Sequence, residues 1–86
     1  MSYRVFVDSR AARSLEKLPR HAVQRIDKAI AQLCEDPRPA GVKLLRGRLK
    51  EGWRIRVGEY RILYRIDDHV REVRIFEIGH RREVYR

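Results

Sequence analysis

Arginines at alternate positions of residues 53–66 are the clearest candidates for chemistry in this sequence. Arg54 and Arg56 precede a Gly-Glu pair, and Arg61 and Arg65 follow it. A guanidinium stays charged at pH 7 and presents planar pairs of donors that match two oxygens of a phosphate. Four such groups within one short segment predict a site for an anion.

The elements that position these arginines are two strands joined by a tight turn. Aromatic and β-branched residues alternate with polar ones on both sides of Gly58-Glu59, which indicates half-buried strands in a hairpin. The predicted opposite pairs are Val57 with Tyr60, Arg56 with Arg61, Ile55 with Ile62, Arg54 with Leu63, and Trp53 with Tyr64. The apolar pairs then share one face of the sheet. The arginines share the other, called the arginine face below, where an anion would relieve the repulsion between like charges about 5 Å apart at Cβ.

The simplest alternative is that this face is only the solvated side of an antiparallel sheet. The chain has a formal net charge of +9, and all but four of its 21 basic residues are arginine. A surface that served solubility alone would not need this preference for arginine. The composition therefore favours an anionic partner, either nucleic acid or an acidic protein.

The whole pattern predicts an α+β fold in the order β-α-α-β-β-β. Two amphipathic helices, joined as an antiparallel pair, would cover the apolar face of a mainly antiparallel sheet, and Asp8 or Ser9 would cap the first helix. Leu44 and Leu45 could begin a strand within the mixed stretch 42–52. The predicted elements are a strand at 3–8, a helix ending near Pro19, a helix at about 20–35, the hairpin, and a strand at 70–78.

Length and composition restrict the remaining function classes. Eighty-six residues predict one domain, 1–86, and no apolar run approaches the roughly 20 residues that cross a bilayer. The first residues do not read as a secretory signal, so we expect a cytoplasmic protein without membrane contact. Cys34 reads as a core thiol, and His21, His69 and His80 are too dispersed to predict a metal site. We expect no cofactor.

Three segments, KLLRG, GWRIRVGEYRILYRID and IGHRREVYR, resemble the RelE/ParE superfamily of bacterial toxins, and specifically its RelE-like ribonuclease branch. The resemblance implies a small basic toxin, encoded with an antitoxin, that cleaves messenger RNA in the ribosomal A site. It implies the cognate antitoxin, the ribosome and mRNA as partners, with operator DNA contacted only through the antitoxin complex. Two alternatives remain: a ParE-like DNA gyrase inhibitor without nuclease activity, and a non-catalytic basic nucleic-acid-binding module.

The family's functional residues map by motif onto Arg54, Arg56, Arg61, Arg81 and Tyr85. The two residues on the first strand of the hairpin are lysines in the best-known members, and one of them is thought to help remove the proton from the ribose 2′-hydroxyl. Both are arginine here, and arginine is a very poor base at pH 7. The proton acceptor must therefore be reassigned.

Metal-independent cleavage by the 2′-hydroxyl needs a proton acceptor, groups that stabilise charge on the phosphorane, and a donor to the leaving oxygen. Arg56, Arg61 and Arg81 suit the second task. His80, Glu83 and Tyr85 are the candidates for the proton steps; we predict that His80 handles one transfer and that Tyr85 stacks on a base or orients the sugar. The predicted RNA-binding residues are Arg54, Arg65, Arg82 and Lys50.

Overall fold

The computed structural model describes residues 2–45 and 52–81, and within these ranges the chain forms two helices and one five-stranded sheet. The elements are β1 (Arg4–Val7), α1 (Ser9–Glu16), α2 (Arg20–Glu35), β2 (Lys43–Leu45), β3 (Gly52–Val57), β4 (Tyr60–Asp67) and β5 (Glu72–His80). The strand order is β1-β5-β4-β3-β2, with β1 parallel to β5 and the other neighbours antiparallel. The predicted α+β fold with a mainly antiparallel sheet is confirmed.

The hairpin of β3 and β4 has the predicted register. All five predicted pairs are present, from Val57 opposite Tyr60 to Trp53 opposite Tyr64. Gly58 lies in the turn with φ +60°, a left-handed conformation that glycine adopts without steric cost. The turn thus places Arg56 directly opposite Arg61, as the alternation requires.

Both helices pack on the apolar face of the sheet. Ala11 of α1 and the stripe of Ile26, Ala29 and Leu33 on α2 are buried in one hydrophobic core. The sheet contributes Ile55, Ile62, Tyr64, Val73, Ile75 and Ile78 to the same core. The helices therefore cover one side of the sheet, called the helix face below, and leave the arginine face to other contacts.

The start of α1 differs from the prediction. Asp8 occupies the cap position, but its side chain makes no capping hydrogen bond, and Ser9 is already the first helical residue. Arg74 Nη1 instead donates to Asp8 Oδ1 at 3.2 Å, a charge-assisted bond that competes with the cap. The carboxylate of Asp8 thus ties the end of β1 to β5.

A β-bulge in β5 changes which side chains reach each face. Tyr64 pairs with Ile75 whereas Leu63 pairs with Glu77, so Phe76 is an extra residue between them. Strict alternation from Ile75 would put residues 76, 78 and 80 on the arginine face. The bulge reverses this from Ile78 onward, and it leaves Phe76 on the arginine face, where Arg65 stacks on its ring.

A polar cluster joins the linker after α2 to the sheet. Asp68, in the β4–β5 turn, accepts hydrogen bonds from the Tyr3 hydroxyl at 2.6 Å and from both terminal nitrogens of Arg38. The Arg38 guanidinium also lies over the Trp53 ring. The buried Tyr64 hydroxyl donates to the Pro37 carbonyl at 2.8 Å, and burial raises the pKa of this phenol.

No helix in the described ranges has the length and apolarity needed to cross a membrane.

Candidate functional site

Three residues form a row across the arginine face near the hairpin turn: Arg56 on β3, Arg61 on β4 and Gly79 on β5. Arg56 is exposed, whereas Arg61 is only 4% exposed, and its Nη1 donates to the Tyr60 carbonyl at 3.2 Å. Gly79 contributes no side chain, so the sheet surface beside Arg61 is not covered from β5. Two guanidinium groups on adjacent strands thus concentrate positive charge at the hairpin end of the face.

Arg54 and Arg65 extend this charge along the face. Arg54 lies opposite Leu63 and, with Lys43 and Arg56, lines a cleft of about 440 Å³. Arg65 is exposed, and its guanidinium lies 4.1 Å from the centroid of the Phe76 ring. An arginine held on an aromatic ring keeps its outer surface available for a nucleobase or a phosphate.

Two acidic residues of β5 pair with arginines outside the hairpin. Glu72 pairs with Arg4 at 3.0 Å, and Glu77 lies 3.9 Å from Arg10. From Arg54 to Arg65, the turn residue Glu59 is the one acid in the hairpin sequence, and β5 adds these two. Glu72 lies at the far end of β5, whereas Glu77 is opposite Leu63, one row from the Arg61–Gly79 pair.

Arg81 lies against the hairpin turn. Its backbone N–H donates to the Glu59 carbonyl at 2.9 Å, and its Nε lies 3.2 Å from Glu59 Oε2. The structure thus brings Arg81 to the end of the face that carries Arg61. Glu59 was predicted only as a turn residue; the available signal was an acid two positions before Arg61, at the end of the strand that carries the arginine face.

His80 lies on the other side of the sheet. It pairs with Tyr60, and the two rings meet edge to face with centroids 5.8 Å apart. With His21 and Arg25 of α2, His80 lines a small pocket of about 200 Å³. Its Nε2 is 4.0 Å from Glu59 Oε2, so the ring lies beside the turn and is not gathered with Arg56 and Arg61 on the arginine face.

Three predicted site residues, Lys50, Arg82 and Tyr85, lie outside the described residues, as does Glu83. Their predicted roles therefore stay predictions. In the described ranges, no three or more His, Cys, Asp or Glu side chains are grouped so that they could hold a metal ion.

Comparisons with known proteins give a consistent family. The sequence model of one protein family, the ParE toxin of type II toxin–antitoxin systems, matches residues 5–85 of this chain. Toxin RelG of Mycobacterium tuberculosis is 39% identical over 87 residues, covering 100% of this chain and 99% of the relative. Toxin RelE of the same organism is 35% identical, covering 98% and 87%.

Solved structures agree with these sequence matches. The toxin–antitoxin complex RelBE2 of M. tuberculosis contains a chain with TM-score 0.83 and 34% identity, covering 94% of this chain and 100% of that one. A chain of the archaeal RelE–RelB complex from Pyrococcus horikoshii also has TM-score 0.83, with 25% identity, covering 96% and 99%. The fold and the sequence therefore point to the same group of proteins.

Proposed function

Because this chain belongs to the family of ParE toxins of type II toxin–antitoxin systems, and is a toxin of the RelE/ParE kind, we propose that it is a ribosome-dependent endoribonuclease. The reaction is metal-independent cleavage of mRNA by attack of a ribose 2′-hydroxyl on the adjacent phosphate. The observation that carries the proposal is the direct opposition of Arg56 and the buried Arg61, with Arg81 at the same end of the sheet.

This arrangement suits the stabilisation of a phosphorane. The negative charge that develops on the non-bridging oxygens is best met by donors that are already fixed in place. The side chain of Arg61 is fixed by burial and by its bond to the Tyr60 carbonyl, whereas Arg56 is exposed and meets the phosphate from the neighbouring strand. Repulsion between the two guanidinium groups is relieved when an anion binds, which favours the charged transition state.

The other predicted residues take roles around this centre. Arg54 and Arg65 hold the RNA strand along the arginine face, and Lys50 and Arg82 stay predicted RNA contacts. His80 stays the candidate for one proton transfer, here to the leaving 5′-oxygen, and Tyr85 stays the residue predicted to stack on a base or orient the sugar. His80 is near the turn but on the helix face, so we infer that it serves this role only if the leaving group passes around the hairpin tip.

The cognate antitoxin is the natural inhibitor of this surface. Chains with this fold occur in toxin–antitoxin complexes. We infer that an acidic antitoxin segment covers the arginine face and blocks RNA, and that operator DNA is contacted only through the complex. A net charge of +9 favours an acidic partner as strongly as it favours RNA.

Induction of the toxin and of its Arg61→Ala variant, followed by primer-extension mapping of cut messages, tests the proposal. We expect at least about a 100-fold loss of cleavage in the variant because a fixed donor to the phosphorane is removed, whereas co-sedimentation with ribosomes persists. Lys28→Ala, on the exposed side of α2, is the matched control and keeps full activity. An Arg61→Ala variant that cleaves messages normally, or whose only defect is weaker binding to ribosomes, would contradict the proposed enzymatic role.

Inhibition of DNA gyrase is the second candidate, because the matching family model is that of the ParE toxin. A toxin of that kind acts through protein contact and needs no catalytic arginines. Gyrase-linked DNA breaks after induction, in the absence of new message ends, would favour it. New 5′-hydroxyl ends on translated messages favour the ribonuclease.

A further inference from the structure

The proposed reaction needs a group that accepts the proton of the 2′-hydroxyl, and the hairpin arginines cannot supply it. Guanidinium groups remain protonated at pH 7, whereas a carboxylate is ionised at that pH and can take up a proton. We propose that Glu59 in the hairpin turn is the general base. This inference rests on the ribonuclease function proposed above and adds a catalytic residue to it.

The position of Glu59 fits this role. The Arg81 N–H donates to the Glu59 carbonyl, one step beyond the Tyr60–His80 pair, so Glu59 continues the β4–β5 ladder toward the face of Arg61. Its carboxylate is 3.2 Å from Arg81 Nε, next to a residue that already belongs to the proposed site. The Glu59 side chain is 62% exposed, so a ribose hydroxyl can reach it without rearrangement of the core.

Basic and aromatic side chains surround the carboxylate of Glu59. From β5 it faces Arg81 and His80, and from α2 it faces His21 and Arg25 across the small pocket. Tyr60 lines the same pocket. The Arg25 Nη1 would lie 3.1 Å from a Cβ placed on Gly58, so α2 reaches the turn itself. Among the described residues that line this pocket, Glu59 is the one carboxylate.

The step balances without a co-reactant. Glu59 takes the proton of the 2′-hydroxyl, and the 2′-oxygen forms a bond to phosphorus. The bond from phosphorus to the 5′-oxygen then breaks, which leaves a 2′,3′-cyclic phosphate. The leaving oxygen receives a proton from water, and Glu59 returns the proton it holds to solvent. Arg56, Arg61 and Arg81 meet the charge on the phosphorane throughout.

The Glu59→Gln variant tests the base directly, because the amide oxygen can still accept from Arg81 Nε but cannot take up a proton at neutral pH. Single-turnover cleavage of ribosome-bound message is measured from pH 5 to 9. We expect at least about a 100-fold loss for Glu59→Gln, and loss of the decrease in rate at acid pH that a carboxylate base should give the wild type. Glu72→Gln makes the same charge change at the other end of β5, where Glu72 pairs with Arg4, and should cleave at the wild-type rate.

A second variant covers the case in which Glu59→Gln does not fold. Glu59→Ala leaves room for a small carboxylate. Added formate should raise the cleavage rate of this variant at least tenfold. A Glu59→Gln rate within threefold of wild type, a slow variant that keeps the decrease in rate at acid pH, or no formate rescue would overturn the base assignment and leave the ribonuclease intact. A wild-type protein that cuts no message would overturn both.

Discussion

Arg56 contributes positive charge to the candidate site at a cost to the folded sheet. It lies directly opposite Arg61, and like charges at such positions destabilise an antiparallel pair by about 0.2–1 kcal/mol. The burial of Arg61 leaves that side chain little freedom to move away. A pair that opposes folding in this way is typical of residues retained for binding or catalysis.

We therefore expect Arg56→Gln to stabilise the isolated toxin and to reduce its activity. The gain should be about 0.5 kcal/mol, or about 3 °C in Tm, because one of two opposed charges is removed. Thermal unfolding measures it, with Lys28→Gln, which removes an exposed cation on α2, as the control. A Tm that falls, or that rises equally in the control, would show that the opposition carries no local strain.

The elements show which parts of the fold can be read from the sequence. The register of β3 and β4 was predictable because a two-residue turn fixes every opposite pair. The parallel pairing of β1 with β5 was not, because β1 meets a strand 68 residues later in the chain, from Arg4 to Glu72, and local patterning does not select such a partner.

The candidate site shows the same division. The shared face of Arg54, Arg56 and Arg61 follows from alternation alone, whereas the placement of His80 depends on the bulge at Phe76. The contact between Glu59 and Arg81 joins a turn to the end of a later strand, so only the three-dimensional structure brings it to notice. Apolar Ile75 and Phe76 in succession were the one local sign that β5 departs from alternation.

Gly52 at the start of β3 holds a position that other residues cannot occupy. Its φ is +130°, and a Cβ there would collide with the backbone carbonyl of Tyr64. We expect Gly52→Ala to destabilise the toxin by more than ~3 kcal/mol in urea unfolding, since backbone must move. Gly41→Ala is the control. Its φ is also positive, +89°, but a Cβ placed there meets no other part of the protein within 4 Å. Only about 1 kcal/mol of unfolding free energy should therefore be lost. Equal losses would refute the role of the collision.

The cluster that ties Asp68 to Arg38 and Tyr3 predicts a dependence of stability on pH. Hydrogen bonds, first from Arg38 and then from Tyr3, lower the pKa of Asp68 from 3.8 to about 2. Because the folded pKa is the lower one, the stabilisation is complete above about pH 4 and is lost as the pH falls through 2. Asp68→Asn should flatten this part of a plot of Tm against pH, whereas Asp27→Asn, on α2, should not. An unchanged curve for Asp68→Asn would contradict the assignment.

At the scale of the whole molecule, positive charge is present on both sides of the sheet. Arg54 and Arg65 lie on the arginine face, whereas Arg13 of α1 and Lys28 of α2 are exposed on the helices. The net charge of +9 would attract any polyanion, so affinity alone does not identify the face that binds. Salt dependence does, because each phosphate contact releases counterions from the nucleic acid.

Two double variants, each of which removes two positive charges, distinguish RNA binding to the arginine face from RNA binding to the helices. For a single-stranded RNA oligonucleotide, Arg54→Gln with Arg65→Gln should reduce the magnitude of the slope of log K against log salt by about 1.4, since each lost contact is worth about 0.7. Arg13→Gln with Lys28→Gln should leave the slope nearly unchanged. Equal reductions would mean that the RNA responds to total charge and not to the arginine face. Because both variants have the same net charge, a difference in slope can come only from where the charges lie.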